Sequence, residues 1–163
     1  MMRRMGEVEV PTERSHDFDR LFREDAPGVW RTIYAFTGGR RDVAEEAVAE
    51  AFARALQHAA GIRDPIAWIY RTAFRIAREE LKRDARNGLE VETGAEDPTG
   101  TGELLRALRR LSPNQRAAIV LRYEADLPVA EVARRMGVAA STVRVHLYRG
   151  RARLREILGA EEV

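Results

Sequence analysis

The sequence predicts an all-α protein of two small helical domains, the second of which contains a helix-turn-helix. Three observations support this prediction. Apolar residues recur at steps of three and four in two separate blocks, an acidic stretch with several glycines lies between them, and a glycine divides two amphipathic patterns in the second block. With 163 residues and a 45% hydrophobic share, the chain can form one ordinary domain or two small ones.

The composition excludes several classes of protein. The absence of cysteine removes disulfides, thiolate zinc sites and thiol catalysis. No apolar run approaches the roughly 20 residues that span a bilayer, and residues 1–10 lack the apolar core of a secretory signal, so we expect a cytoplasmic protein without membrane insertion. No nucleophile with its base, metal-ligand cluster or phosphate loop is evident, which argues against an enzyme and predicts no cofactor.

The net charge of +2 averages over segments of opposite character. Residues 18–86 hold 13 basic and 11 acidic residues, residues 103–163 hold 12 and 7, and residues 87–102 hold four acidic residues and no basic one. We interpret the last segment as a flexible acidic linker; the alternative is a long surface loop within one domain, but such loops are uncommon in compact domains. The predicted order is a disordered extension (1–16), a first domain (17–86), the linker (87–102), a second domain (103–158) and a tail (159–163).

The first domain is predicted to contain three helices. Apolar residues from Phe18 to Phe36 follow helical spacing until Thr37-Gly38-Gly39 interrupts it. Asp42 is placed to cap a second helix. Residues Gly61 to Pro65 are predicted to form a short turn, and Pro65 suits the first turn of a third helix that runs to about Arg86.

The third predicted helix carries an apolar stripe beside a basic one. Basic residues with aromatic residues nearby suit a nucleic-acid backbone and unstacked bases, because arginine pairs with phosphate and rings stack on bases. The alternative, favoured for the stripe in isolation, is a solvated face that Glu79 and Glu80 partly neutralise. The candidate nucleic-acid residues are Trp68, Arg71, Phe74, Arg75, Arg78 and Lys82.

Acidic residues cluster in the first turns of the second predicted helix. Carboxylates at a helix N-terminus interact favourably with the helix dipole, which is the structural explanation. The functional alternative is a docking surface for a basic protein partner. The residues concerned are Asp42, Glu45, Glu46 and Glu50.

The second block shows the strongest local signals. A helix is predicted over Glu103–Leu111, and Ser112-Pro113 then provides an N-cap followed by proline at the first helical position. After a further helix through Tyr123, the small Ala133, the turn glycine Gly137 and the apolar Val143 have the spacing of a helix-turn-helix. The alternative is a generic helical hairpin.

The second helix of this motif has the composition of a DNA-recognition helix. Residues 139–155 include five arginines and no acidic residue. Residues near the N-terminus of such a helix reach base edges, and later arginines contact phosphates. His146 has no second metal ligand nearby, so a backbone or base contact is favoured over metal binding. The base-contact candidates are Ser141, Thr142, Arg144, Val145, His146, Tyr148 and Arg149, and the phosphate candidates are Arg151 and Arg153.

Both blocks resemble bacterial extracytoplasmic-function (ECF) RNA polymerase sigma factors of the sigma-70 family. Residues 111–158 are similar to sigma domain 4, most specifically in the segments LRY, AEVA, TVR and RGRARLRE. In the first block, DFDRLFRE resembles the first helix of sigma domain 2, DVAEEAVAEAFARAL resembles its helix that docks on core polymerase, and AWIYRTAFRIAREELKR resembles its −10 recognition helix. The resemblance covers residues 17–86 and 103–158.

The resemblance implies a promoter-directing transcription initiation factor. Its partners would be core RNA polymerase, through the β′ clamp and β flap, promoter DNA and, in some family members, an anti-sigma factor. Domain 2 would recognise the −10 region with the basic helix described above, and domain 4 would recognise the −35 region with its recognition helix. Matching positions place Asp42, Glu45, Glu46, Glu50 and Phe52 in the core-polymerase docking surface.

The chain departs from the family pattern at four positions. Ala49 stands where glutamine is usual in the docking helix, and Ala139 stands where serine often caps the recognition helix. In the −10 helix, Arg75 replaces a common asparagine and Glu79 a usual aspartate. These differences concern base preference and core affinity.

Two other functions fit parts of the sequence. A helix-turn-helix transcription regulator with an N-terminal partner-binding domain accounts for the second block, but it has no need of Trp68 and a basic stripe in the first domain. An adaptor that binds polymerase or an anti-sigma protein without promoter activity is the third possibility.

Overall fold

The computed structural model describes residues 12–89 and 101–159, and these residues form seven α-helices without a strand. Short 3₁₀ and π turns, Ala59–Gly61 and Val120–Glu124, complete the regular structure. This architecture confirms the all-α prediction. Within the two described ranges, no helix has the combination of length and apolar character that a membrane crossing requires. The helices are α1 (Thr12–Phe36), α2 (Arg41–Gln57), α3 (Pro65–Arg86), α4 (Thr101–Arg109), α5 (Pro113–Ile119), α6 (Val129–Met136) and α7 (Ala140–Leu158).

Helix boundaries differ from the sequence prediction at three places. Helix α1 begins at Thr12, inside the predicted extension 1–16, and α4 begins at Thr101, two residues before Glu103. The helix predicted to continue through Tyr123 becomes a π turn after Ile119. Residues 1–11, 160–163 and the linker residues 90–100 lie outside the described residues, so the disorder and flexibility predicted for them stay predictions.

Local capping explains where two helices begin. The Oδ1 atom of Asp64 accepts a hydrogen bond from the backbone N–H of Ala67 (3.3 Å), directly before Pro65 at the start of α3. Ser112 and Gln115 form a reciprocal capping box at the start of α5, with distances of 3.3 and 3.4 Å. Both proline-led helix starts are therefore confirmed.

The predicted capping role of Asp42 is wrong. Helix α2 begins at Arg41, so Asp42 lies in its first turn, and the cap residue Arg40 makes no side-chain cap bond. The hydroxyl of Thr37 instead accepts a hydrogen bond from the Arg40 backbone N–H (3.0 Å), and the Arg40 guanidinium binds the Asp42 carboxylate (2.9 Å). The guanidinium of the buried Arg40 binds the Asp42 carboxylate that a cap would have used.

The N-terminal helices α1–α3 pack through small residues. Four alanines of α2, at steps of three and four, are fully buried, which allows close approach to α3. Val29, Ile33 and Phe36 of α1 complete this part of the core. The buried alanines of α2 are Ala44, Ala47, Ala51 and Ala55.

The C-terminal helices α4–α7 contain the predicted helix-turn-helix. Val132 and Ala133 of α6 pack with Val143 and Leu147 of α7, and all four side chains are buried. Gly137 ends α6 in the left-handed conformation (φ 72°), as the turn requires.

Replacing Gly137 by valine is expected to destabilise the fold by about 2 kcal/mol, because a β-branched residue is strained at positive φ. A Cβ atom there would also lie 3.0 Å from the Cδ of Arg71. Urea unfolding followed by circular dichroism measures the change. Asparagine tolerates this backbone region, so Gly137→Asn should cost less than half as much; equal losses for the two variants would contradict the backbone explanation.

Polar contacts connect the two groups of helices where they pack against each other. Helix α6 contacts α3, where Arg134 Nη1 lies 3.1 Å from Asp64 Oδ2 and the Arg135 guanidinium lies 4.6 Å from the Tyr70 ring centre. The π turn and α4 contact α1, where the hydroxyl of Thr32 donates to Glu124 Oε2 (2.9 Å). We call these contacts, together with a bond from Arg116 to the Phe36 carbonyl (3.0 Å), the closing contacts.

Candidate nucleic-acid and protein-binding surfaces

Helix α7 presents one continuous polar and basic face to solvent. Val143 and Leu147 hold the helix against α6, which turns the residues at i, i+3, i+4, i+7 and i+8 from Ser141 outward. Among the seven predicted base-contact residues, His146 is half-buried and the other six are exposed; Tyr148 is the most open of the large hydrophobic residues, at 74%. The structure therefore brings the predicted residues together on an accessible surface.

The start of α7 suits an anionic partner. Ala139 precedes the helix without a side-chain cap, and the first turn contains no acidic residue. The partial positive charge of a helix N-terminus consequently adds to the charge of Arg144 and Arg149 on the same face.

The two predicted phosphate-contact residues have protein partners in this structure. Arg151 Nη1 donates to the Tyr123 hydroxyl (2.6 Å), and Arg153 Nη1 donates to Glu156 Oε2 (2.9 Å). Arg122 also lies over the Tyr123 ring, 5.6 Å from its centre. Arg122 and Tyr123 thus form part of the surface beside α7, whereas the sequence prediction placed only a helix through Tyr123 at this point of the chain.

The basic residues of α3 are exposed as predicted, but part of the helix face that carries them lies against the C-terminal helices. The Arg71 side chain lies against Gly137, and a small cavity of about 190 Å³ between Phe74, Arg75 and Arg78 is closed from the other side by α5. The ring of Phe74 packs against Phe36, with 5.0 Å between centres, and is half-buried. Phe74 is therefore not an open stacking platform in this arrangement, which corrects the expectation from its position in the sequence.

Trp68 lies at a separate concave surface. A cavity of about 580 Å³ is formed by Trp68 and the segment 57–62, and the rings of His58 and Trp68 are 6.3 Å apart. Sequence reasoning identified the turn from Gly61 to Pro65 but missed His58 and Ile62, which line the same cavity. The closeness of this turn to Trp68 in the sequence was the signal that could have identified these two residues.

The acidic residues of α2 form an exposed surface, as predicted. Glu45 lies near Arg41 (3.9 Å) and Glu50 binds Arg54 (2.7 Å) on the helix itself. The hydrogen bond from Arg40 lowers the pKa of the Asp42 carboxyl, which keeps it charged. The four exposed carboxylates are Asp42, Glu45, Glu46 and Glu50.

The fifth predicted docking residue, Phe52, is not accessible. Its side chain is only 6% exposed and packs edge-to-face on Phe22, with 5.1 Å between ring centres. Phe52 therefore supports α2 from within, because that face of α2 packs on α1, and a direct contact between Phe52 and a partner stays a prediction. The apolar groups at this surface are instead Phe22 and Leu56, which are 52% and 57% exposed.

Comparison with known proteins shows the family to which the chain belongs. Residues 101–154, which contain most of the C-terminal helices, match the family Sigma-70, region 4. The chain is 31% identical over 140 residues to the RNA polymerase sigma-E factor of Streptomyces antibioticus, and the match covers 85% of this chain and 73% of that protein. It is 32% identical over 152 residues to the ECF RNA polymerase sigma factor SigM of Mycobacterium tuberculosis, with 87% and 77% covered. The chain belongs to the ECF RNA polymerase sigma factors.

Other relatives are longer than this chain. The ECF RNA polymerase sigma factor BldN of Streptomyces coelicolor is 32% identical over 160 residues, but the match covers 86% of this chain and 60% of that protein. The chain thus spans less than two thirds of the length of some of the relatives that it matches.

Solved structures share the fold. The sigma factor RpoE in complex with the anti-sigma factor NepR from Bartonella quintana has a TM-score of 0.69 and 21% identity, with 87% of this chain and 96% of that chain covered. CnrH in complex with the cytosolic domain of CnrY gives the same TM-score and identity, with 91% of each chain covered. These two likenesses concern the fold alone.

Proposed function

We propose that this chain is a transcription initiation factor that binds core RNA polymerase and directs it to promoters. The observation that carries the proposal is the exposed face of α7, which has no acidic residue between Ala140 and Arg155, on a helix-turn-helix in a chain of the ECF sigma family. The proposed activity is binding and positioning rather than catalysis, and its place is the cytoplasm, at the nucleoid when polymerase is bound.

The α7 face is proposed to enter the major groove of the −35 element. Arg144 and Arg149 supply forked donors that pair with guanine, and Ser141 and Thr142 supply less selective hydroxyls. Arg151 is held by Tyr123 at the edge of this face, where a phosphate can replace or share that hydrogen bond.

The surface of α3 is proposed to recognise the −10 element. The cavity beside Trp68 is concave and has one aromatic wall, which suits a base that has left the duplex. Arg71, Arg75, Arg78 and Lys82 lie further along the helix and supply charge for the backbone of the opened strand. Full access to Arg71 and Phe74 requires the closing contacts to open.

The acidic surface of α2 is proposed to dock on the β′ clamp of core polymerase, and the C-terminal helices on the β flap. Exposed carboxylates next to the apolar Phe22 and Leu56 provide both charge complementarity and apolar contact area. The RpoE structure contains the anti-sigma factor NepR, and the CnrH structure contains the cytosolic domain of CnrY, so an anti-sigma factor is a further proposed partner. In this proposal the N-terminal and C-terminal helices act as two domains joined by the acidic linker.

Reconstituted transcription tests the proposal. Purified chain is added to core polymerase from the same cells together with fragmented genomic DNA, and transcript start sites are mapped. We expect a stable complex with core and initiation at a shared pair of −35 and −10 sequences. A chain that binds specific DNA but forms no complex with core polymerase would instead be a helix-turn-helix regulator.

Replacing Arg144 and Arg149 by alanine is expected to weaken promoter binding by the holoenzyme at least tenfold. Each arginine that pairs bidentately with a guanine contributes about 1–3 kcal/mol of discrimination. Electrophoretic mobility shifts at fixed salt measure the change. The control, Arg20→Ala with Arg23→Ala, removes the same charge from exposed positions of α1; equal losses in the two double variants would contradict a specific role for α7.

A further inference from the structure

A cavity of about 640 Å³ lies where the two groups of helices meet, and it shares no lining residue with α7 or the Trp68 cavity. The turn between α1 and α2, the end of α3 and the start of α5 surround it, and α4 forms one wall. Five arginines line this cavity: Arg40, Arg106, Arg109, Arg110 and Arg116. We call it the arginine cavity.

The charge of the arginine cavity is largely uncompensated. Asp84 is the acidic residue of its lining, and its carboxylate already binds Arg40 (2.8 Å), which also binds Asp42. Within the described residues, no ion pair involves the three arginines of α4 and its end, Arg106, Arg109 and Arg110. Several guanidinium groups therefore line a shared space, and no carboxylate of the described residues forms an ion pair with those of Arg106, Arg109 and Arg110.

Arg116 lies at the buried base of this cavity. Its side chain is 9% exposed, and its Nε has no hydrogen-bond partner, although its terminal nitrogens bind backbone carbonyls. Burial, together with the nearby charge of Arg109, lowers the pKa of Arg116 to about 10. Two like charges beside an unpartnered donor are costly unless an anion joins them.

Apart from Asp84, the residues that the end of α3 contributes to the arginine cavity are apolar. Leu81, Ala85 and Leu89 belong to the end of α3 and the residues after it, and Leu89 is 57% exposed. A cavity with a cationic and an apolar wall, at a volume typical of small-molecule sites, suits a ligand with a charged and an apolar part.

We propose that the arginine cavity binds a small polyphosphate anion. Arginine forks make paired hydrogen bonds with phosphate oxygens, so several of them together recognise a chain of phosphates better than a single anion. The apolar wall leaves room for a nucleoside attached to that chain. Because residues of both helix groups line the cavity, the bound anion holds the groups together.

Titration calorimetry of the full chain at constant ionic strength tests the proposal, with inorganic tripolyphosphate and GTP as separate probes. We expect saturable binding of one tripolyphosphate per chain. The double substitution Arg106→Gln and Arg110→Gln should weaken tripolyphosphate binding at least tenfold. Both side chains are exposed, so their loss leaves the core intact. Tighter binding of GTP would assign the apolar wall to the nucleoside, whereas equal binding would assign the site to the phosphate chain; both outcomes support the proposal.

The control variant is Arg20→Gln with Arg23→Gln. These exposed arginines precede Thr37 by 14 or more residues on α1, about 20 Å along the helix, and should leave the affinity within twofold of the original. Absence of saturable binding, or equal losses in the two double variants, would overturn the proposal.

A final experiment tests whether the chain's own acidic residues compete with tripolyphosphate for the arginine cavity. Glu90, Glu92, Glu96 and Asp97 follow Leu89 in the sequence. If tripolyphosphate binds only after these four are replaced by their amides, the occupant is internal and the proposal of an external ligand is wrong. None of these measurements uses polymerase or promoter DNA, so they are independent of the proposed function.

Discussion

Linking Arg31→Cys to Glu124→Cys with a disulfide-containing bismaleimide is expected to lower promoter-directed transcription at least tenfold, and reductant should restore it. Arg31 Nε lies 3.8 Å from Glu124 Oε1, so cysteines at these positions of α1 and the π turn are within reach of a short linker. The link fixes the closing contacts, and helices α5 and α6 then stay against the face of α3 that is proposed to bind the −10 element.

Because the natural chain contains no cysteine, no other thiol of the chain can react with the linker. The matched control places the same crosslink within α1, between Arg20→Cys and Glu24→Cys, whose natural side chains are 3.0 Å apart. This control should transcribe like the untreated protein. Full activity of the linked Arg31–Glu124 variant would show that the proposed function does not require the two helix groups to separate.

Replacing Arg116 by methionine is expected to lower the free energy of unfolding by about 3 kcal/mol. The guanidinium of Arg116 donates to the carbonyls of Phe36 (3.0 Å), Arg109 (3.1 Å) and Leu111 (3.2 Å), at the ends of α1 and α4. Its loss leaves buried acceptors without a donor, which is more costly than the loss of an exposed hydrogen bond. It also removes a cation from two helix C-termini, where positive charge is favourable.

The control for this change is Arg110→Met, which removes the same kind of side chain from an exposed position and should alter the unfolding free energy by less than about 0.5 kcal/mol. Chemical unfolding of both variants, followed by circular dichroism, gives the comparison. Similar stability of the two variants would show that the three carbonyls find other donors.

Features governed by neighbouring residues could be predicted from the sequence. The helix starts at Pro65 and Pro113 depend on side chains within three residues, and the turn at Gly137 depends on one backbone conformation. The exposed face of α7 was predictable for the same reason, because helical periodicity fixes which residues point away from buried Val143 and Leu147.

Features that depend on distant residues could not be predicted in this way. Thr32 and Glu124 are 92 positions apart, and Phe36 and Arg116 are 80 apart, so no local pattern relates them. The same limit explains Phe52 and Phe74, since each lies on a helix with two packed faces and the sequence does not say which neighbour covers which face. Nothing in the sequence distinguishes Arg116 from a surface arginine, because its burial follows from the packing of the ends of α1 and α4 around it.

Two of the closing contacts, Thr32–Glu124 and Asp64–Arg134, lie outside the proposed binding surfaces and still affect the strength of binding. If only one molecule in a hundred is open, every partner that requires the open form binds a hundredfold more weakly than its intrinsic affinity, a cost of about 2.7 kcal/mol. A few polar contacts, such as Thr32–Glu124 and Asp64–Arg134, suffice for a difference of that size. Changes at these positions therefore alter the concentration of partner at which the chain responds, while the surfaces that select the partner stay the same.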